Sequence, residues 1–364
     1  MLKRLVAMLA VTALVAGSTV FYYHKTGIRT DGVFYEASGI RPDAPVMHVN
    51  GDAVSAEEYL YWLDSVCAHL ASYVGGTPDF STKVTDEMTL GQFAKEDAAH
   101  TVTLYAVVRQ IAAEYGITLS DEDFAALDAQ RQQYVSYYGS EEAYLQQLQV
   151  LGLSEEMLHR IEEVPYLYHR TLLAFSDPAG KLYPGEEALR AYAAENGFVT
   201  AQLLYFPTAG LTEAEQTDMK AKAADYAAQL QAAADKQATY EMLAAQLGLT
   251  VSADGLTFCA ADADPIVHGA VADLAAGQIS SVVQGSNGYY VAMRMDTNYA
   301  ALTEDLFNIY LQDRQDSAKV EYNDKYFGRL DAGAFYTSLL QARSLLLENL
   351  SGQANCPPPI PPVQ

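Results

Sequence analysis

Gly277-Gln278-Ile279-Ser280-Ser281-Val282-Val283, followed after four intervening residues by Gly288-Tyr289-Tyr290-Val291-Ala292-Met293, is the stretch on which the reading of this chain turns. Each half opens on glycine, the residue that tolerates tight turns and close backbone approach. The β-branched and aromatic residues that follow suit a pleated strand. Together they read as a closing hairpin.

Working back from the hairpin, Pro265 to Leu274 reads as a helix, and Asp254-Gly255-Leu256-Thr257-Phe258 as a turn and strand. Tyr240 to Leu247 is a short helix ended by Gly248. Thr212 with Glu215 three residues on caps a long alanine-rich helix to about Ala234. Before it, Val199 to Phe206 is a strand-like run stopped by Pro207. The order over residues 198–297 is therefore strand, long helix, short helix, strand, helix, strand pair.

On the N-terminal side, Val46 to Val54 reads as a short strand turning at Asn50-Gly51. Ser55 and Glu58 form a capping box, behind which Tyr59, Leu60, Leu63, Val66, Cys67 and Leu70 line one helical face. From about 88 to 196 the pattern is helical almost throughout. Ser120, Ser140 and Ser154 mark helix starts, Gly116, Gly139 and Gly152 mark ends, and Pro184 starts one more helix. Residues 25–44 read as a linker, and the helical pattern resumes from Thr303 to Leu350. Pro357-Pro358-Pro359-Ile360-Pro361-Pro362 is barred from helix and inner strand and reads as exposed polyproline II within a proline-rich tail, 351–364.

The 364 residues carry 22 Lys+Arg against 46 Asp+Glu, a net charge of −24. That balance argues against nucleic acid and against an anionic membrane surface as partner. Cys67, Cys259 and Cys356 show neither ligand spacing nor an even count, so a full disulfide framework is excluded. The seven histidines are scattered, no nucleotide-binding glycine loop occurs, and neither metal nor cofactor is expected. Lys3 and Arg4 precede an apolar run from Leu5 to Tyr23, which makes residues 1–24 either a cleaved signal peptide or a signal anchor. Everything after it is then extracytoplasmic. The sequence does not set the oligomeric state.

The hairpin and the elements before it resemble the parvulin-type prolyl isomerase domain. There the corresponding run is Gly-x-hydrophobic-Ser-x-Pro-Val, then a turn and Gly-Tyr-His-hydrophobic. The Asn50-Gly51 strand with its acidic-capped helix, and the junction Gly116 to Asp123, are similar to the SurA/PrsA class of extracytoplasmic foldases. The resemblance implies an α+β architecture. A helical chaperone domain would be formed from 45–197 and 300–350, with a parvulin-like domain over 198–297 inserted between them, a small antiparallel sheet flanked by helices.

Placed on the family's motifs, this chain departs at the functional positions. The first strand, Ser-His-hydrophobic in the family, is Gln202-Leu203-Leu204 here, and the second histidine falls at Tyr290. The proline-pocket residues fall near Ala263 and Val267, and Gly285 stands at a hydroxyl position. Phe258, His268, Tyr289 and Tyr290 are candidates to line a remodelled groove, with Gln202 and Tyr290 as a polar pair. The expected partners are unfolded or proline-containing polypeptides, together with the membrane through the N-terminal segment. The resemblance implies an extracytoplasmic folding factor that binds unfolded exported polypeptides, its parvulin-like domain weak or inactive as an isomerase; the alternatives are an active peptidyl-prolyl cis-trans isomerase with an atypical site, or a non-catalytic docking or assembly protein. The helical domain offers Tyr59, Tyr61, Trp62, Tyr73, Tyr134, Tyr137, Tyr138 and Tyr144 as adaptable aromatic contacts.

Overall fold

The structure is a computed structural model and describes residues 31–351. The N-terminal apolar run and Pro357–Pro362 therefore lie outside the described residues. The chain divides into two compact units: one holds the residues up to Thr171 and from Leu311 onward, the other Leu172–Tyr310.

The first unit begins with α1 (Val33–Ser38) and the strands β1 (Pro45–Val49) and β2 (Asp52–Ser55). Asn50 and Gly51 both take positive φ, 53° and 93°, as a tight two-residue hairpin turn requires. Helices α2 (Ala56–Val74), α3 (Leu90–Tyr115), α4 (Asp121–Tyr138) and α5 (Glu141–Leu151) follow. Next comes α6 (Glu155–Ser176), inside which the division between the units falls. Tyr59, Leu60, Leu63 and Cys67 of α2 are fully buried, as are Ala98, Val102 and Ile111 of α3. Each buried Leu or Ile contributes about 1.5–3 kcal/mol relative to exposure.

Two expectations fail here. The span read as a linker contains α1, whose Val33 and Phe34 are buried, with the Phe34 ring 6.1 Å from that of Phe335. The run read as helical from Thr303 to Leu350 is interrupted: α11 (Thr303–Asp316) gives way to β7 (Val320–Tyr322) before α12 (Ala332–Ser351). Strand β7 pairs antiparallel with β1, so the sheet order is β2-β1-β7. Three residues carry no periodicity of their own. The strand exists because β1 supplies its partner groups, helped by Asn323, whose side chain donates to Pro45 O at 2.9 Å. On α12, Arg343 forks onto both Asp64 carboxylate oxygens at 3.1 and 2.6 Å and also donates to Val150 O at 2.8 Å. It thereby ties three helices together.

The second unit contains α7 (Glu186–Glu195), β3 (Val199–Pro207), α8 (Glu213–Ala232), α9 (Lys236–Gln246), β4 (Leu256–Phe258), α10 (Pro265–Ala272), β5 (Val283–Gln284) and β6 (Gly288–Met295). Its sheet is antiparallel throughout, in the order β4-β3-β6-β5. Side chains alternate across a strand, so β3 and β6 serve two cores. Leu204, Phe206, Tyr289, Val291 and Met293 meet α8 and α9 through Tyr226, Leu230, Tyr240 and Leu243. Val199, Ala201, Phe258 and Ala292 meet Val271 of α10, with Leu203 and Ala263 packed alongside. A side chain at Gly288 would bring its Cβ within 2.3 Å of Phe206 O, so β6 can start against β3 only with glycine there.

Candidate functional site

On the α10 face of this sheet, Tyr205 of β3 stands opposite Tyr290 of β6 in the pairing register. Their rings stack with centroids 5.0 Å apart and planes 30° from parallel. Both hydroxyls converge on one turn residue: Tyr290 donates to Asn287 Oδ1 at 2.7 Å and Tyr205 to Asn287 O at 3.1 Å. A Cβ at Gly285 would lie 2.9 Å from the Tyr290 ring, 3.0 Å from Asp264 Oδ2 and 3.1 Å from Val267 Cγ2. The hairpin turn, the start of α10 and the tyrosine pair therefore meet at one point.

Asp264 caps α10 by accepting from Ile266 N at 2.9 Å, and its other oxygen accepts from Ser286 N at 2.5 Å. These backbone donors, Ser286 foremost, hold its carboxyl below the usual range. The Tyr290 phenol is pushed up, first by burial and then by the facing Tyr205 and Asp264. The site thus presents the Asp264 carboxylate beside two half-exposed tyrosine rings.

The same region is what the comparisons with known proteins single out: the PPIC-type PPIASE domain matches residues 186–306. The chain is also similar to the crystal structures of PrsA from Bacillus subtilis (13% identity, 74% of this chain and 93% of that one, TM-score 0.27) and of the foldase protein PrsA from Streptococcus pneumoniae (17%, 71% and 93%, TM-score 0.27). A further similar structure comes from work on PEB4 and Cj1289, SurA-like chaperones of Campylobacter jejuni (12%, 77% and 99%, TM-score 0.22). No curated protein matches the chain.

Within this second unit the sequence candidates separate by sheet face. Leu203, Phe258, Ala263, Val267 and Tyr290 lie on or against the α10 side. His268 Nε2 donates to Gly197 O at 2.7 Å, and its ring stands edge-on to Phe258 at 6.0 Å. Gln202 and Tyr289 are on the opposite face, because they sit one position out of phase with Leu203 and Tyr290. The proposed Gln202–Tyr290 polar pair is therefore corrected: Gln202 is 2% exposed and donates to Ser252 O at 3.1 Å. Tyr289 is likewise removed from the groove, being core against α8 and α9.

The actual partners of Tyr290, namely Tyr205, Asn287 and Asp264, were missed by sequence reasoning. The signal for Tyr205 was present in the period-2 alternation of β3, which puts it on the same face as Leu203. Asn287 and Asp264 had none, because their role depends on how the turn folds back on α10.

In the other unit the expected aromatic residues also divide. Tyr59, Tyr138 and Tyr144 are core residues at 0%, 7% and 1% exposure, because the faces that carry them pack inward. Tyr73 and Tyr137 are exposed. Between these extremes lies a half-buried group. Tyr61 and Trp62 meet at 5.1 Å, and Trp62 and Tyr105 at 4.9 Å, both edge to face. Burial pushes the Tyr61 phenol up to about 12, with Tyr105, Asp64, Glu162 and Tyr134 adding to it, which puts all of them in its neighbourhood. Glu162 and Tyr134 share the Gln130 amide, at 2.7 and 3.0 Å. Trp62 Nε1 is buried without a hydrogen-bond partner.

Proposed function

We propose that the chain is an extracytoplasmic foldase-type chaperone that holds unfolded, proline-containing polypeptides, and that its PPIC-type domain binds them without accelerating isomerisation. The observation that carries this reading is the state of the two family histidine positions, Leu203 and Tyr290. One has no polar group, and the hydroxyl of the other is committed to Asn287. The barrier to rotation about an X–Pro bond is of the order of 18–20 kcal/mol. Lowering it requires polar groups free to stabilise the twisted amide, and the half-exposed rings offer instead an apolar surface. The names of the similar structures, foldase protein PrsA and SurA-like chaperones, support the holding role.

The half-buried group Tyr61, Trp62 and Tyr105 is the second contact surface in this reading, since aromatic rings give large contact area at little entropy cost. The apolar run Leu5–Tyr23 behind Lys3 and Arg4 supports export, with the membrane as an N-terminal anchorage. Among the described residues, no helix is long and apolar enough to cross a membrane.

The test is to follow cis/trans exchange of a short proline peptide and aggregation of an unfolded client on one sample. Exchange at the uncatalysed rate with delayed aggregation is the expected result. Clear acceleration of exchange would overturn the non-catalytic reading, and a single tight partner with no protection of clients would overturn the chaperone reading.

A further inference from the structure

The stacked rings of Tyr205 and Tyr290 give the second unit an apolar contact, and a carboxylate stands at its border. We infer that Asp264 selects what binds there: the preferred occupant is a client segment with lysine or arginine next to its proline. The inference deepens the proposed function and rests on its reading that this face binds proline-containing chain.

The geometry puts charge and rings together. A Cβ at Gly285 would meet the Tyr290 ring, Asp264 Oδ2 and Val267 Cγ2 all within 3.1 Å, so the three border one small space. Asp264 is held there from two sides, because Ile266 N donates to it from the helix start and Ser286 N from the hairpin turn. Both donors are neutral. They hold its carboxyl low without cancelling its charge.

The unit's own cations do not cancel it either. Arg190 pairs with Glu186, Lys222 lies over the Tyr226 ring, Lys236 donates to Gly277 O and Arg294 to Thr200 O. Among the described residues, the groups that act on the Asp264 carboxyl include no lysine or arginine. The charge is therefore left for something outside the chain.

Lysine and arginine have the two attributes that this border takes. Each carries an apolar stem that can lie on the rings and a cationic head for the carboxylate. A cation over a tyrosine face adds an attraction of its own. An acidic flank meets repulsion from Asp264, on a chain of net charge −24, and a neutral flank has no charge to set against it.

The test uses the full chain and three synthetic peptides that differ only in the two residues flanking a single proline: lysine, glutamine or glutamate. Titrations followed through the amide signals of Gly285, Asn287 and Tyr290 read binding at this face. The lysine peptide is expected to bind about fivefold more tightly than the glutamine peptide, as an exposed ion pair allows, and the glutamate peptide more weakly than either. The lysine advantage should close as salt rises from about 0.1 M to about 1 M. Asp264→Asn keeps a side-chain oxygen for the helix cap and should bring the lysine and glutamine peptides to equal affinity.

Equal binding of all three peptides by the unchanged chain, or a lysine advantage that survives in Asp264→Asn, would overturn the assignment while the binding face stands. If none of the three peptides shifts these amides, the binding face itself falls, and the role of Asp264 with it.

Discussion

In the proposed reading Tyr290 takes the place of a family histidine, which would exchange a polar ring that titrates near neutrality for a phenol that does not. Its hydroxyl contributes one bond, to Asn287, and a single hydrogen bond is worth about 0.5–1.5 kcal/mol net. Tyr290→Phe is therefore expected to lower the stability of the PPIC-type unit by no more than that, and to leave proline exchange and peptide binding unchanged; urea unfolding with a parallel exchange assay checks both. Asp264 gives a pH signature at the same site. Its carboxyl is held low in the fold by Ser286 N and Ile266 N, so its contribution is fully present above the unfolded value near pH 4 and is lost as pH falls through the lower folded value. Thermal midpoints measured between about pH 5 and 2 should fall less steeply in Asp264→Asn than in the unchanged chain. The proposed assignment of Leu203 and Tyr290 to the family's histidine positions rests on motif order alone. What the motif did not carry was which residues share a face with them, since that follows from strand register and from a turn folding onto a helix.

At the scale of elements, the helices were legible because they announce themselves locally. Ser120, expected as a helix start, caps α4 in a box with Asp123, and Gly116 and Gly139 end α3 and α4 in the left-handed conformation that glycine permits. Elements made by long-range contact were not legible, β7 being the clearest case. The Arg343–Asp64 clamp is of the same kind, two residues far apart in sequence joining α12 to α2. Burial raises the Asp64 carboxyl, against which Arg343 pulls it down. Removing one member of a buried pair leaves the other charge unpaired, at a cost of about 3–5 kcal/mol. Arg343→Met should show a loss of that size in the unfolding of the first unit, and Asp64→Leu added to it should recover most of the loss. Equal stability of the single and double variants would mean that the clamp is incidental.

Across the whole molecule, the proposed chaperone role would use the acidic balance and the half-buried aromatics in different ways. Attraction of basic clients to a surface of net charge −24 is screened once the Debye length falls from about 10 Å at 0.1 M salt to about 3 Å at 1 M. The aromatic contribution is not screened. Basic clients should be held less firmly as salt rises, whereas neutral ones should not. Trp62→Ala is expected to weaken both by about tenfold, or about 1.4 kcal/mol. Trp62 is the chain's one tryptophan, so its emission reports the contact directly in the unchanged protein.

The sheet of the first unit places a further demand on the molecule, one of timing. Strand β1 lies near the start of the described chain, and one of its two neighbours, β7, is made more than 250 residues later. A ribosome adding about 5–20 residues per second leaves the β1 edge unpaired for many seconds. Throughout that interval β1 is a template for any passing strand. The second unit is one continuous stretch, Leu172–Tyr310, and all of it is made before β7. A protein proposed to shelter unfinished chains thus keeps a sheet of its own unfinished until β7 is made.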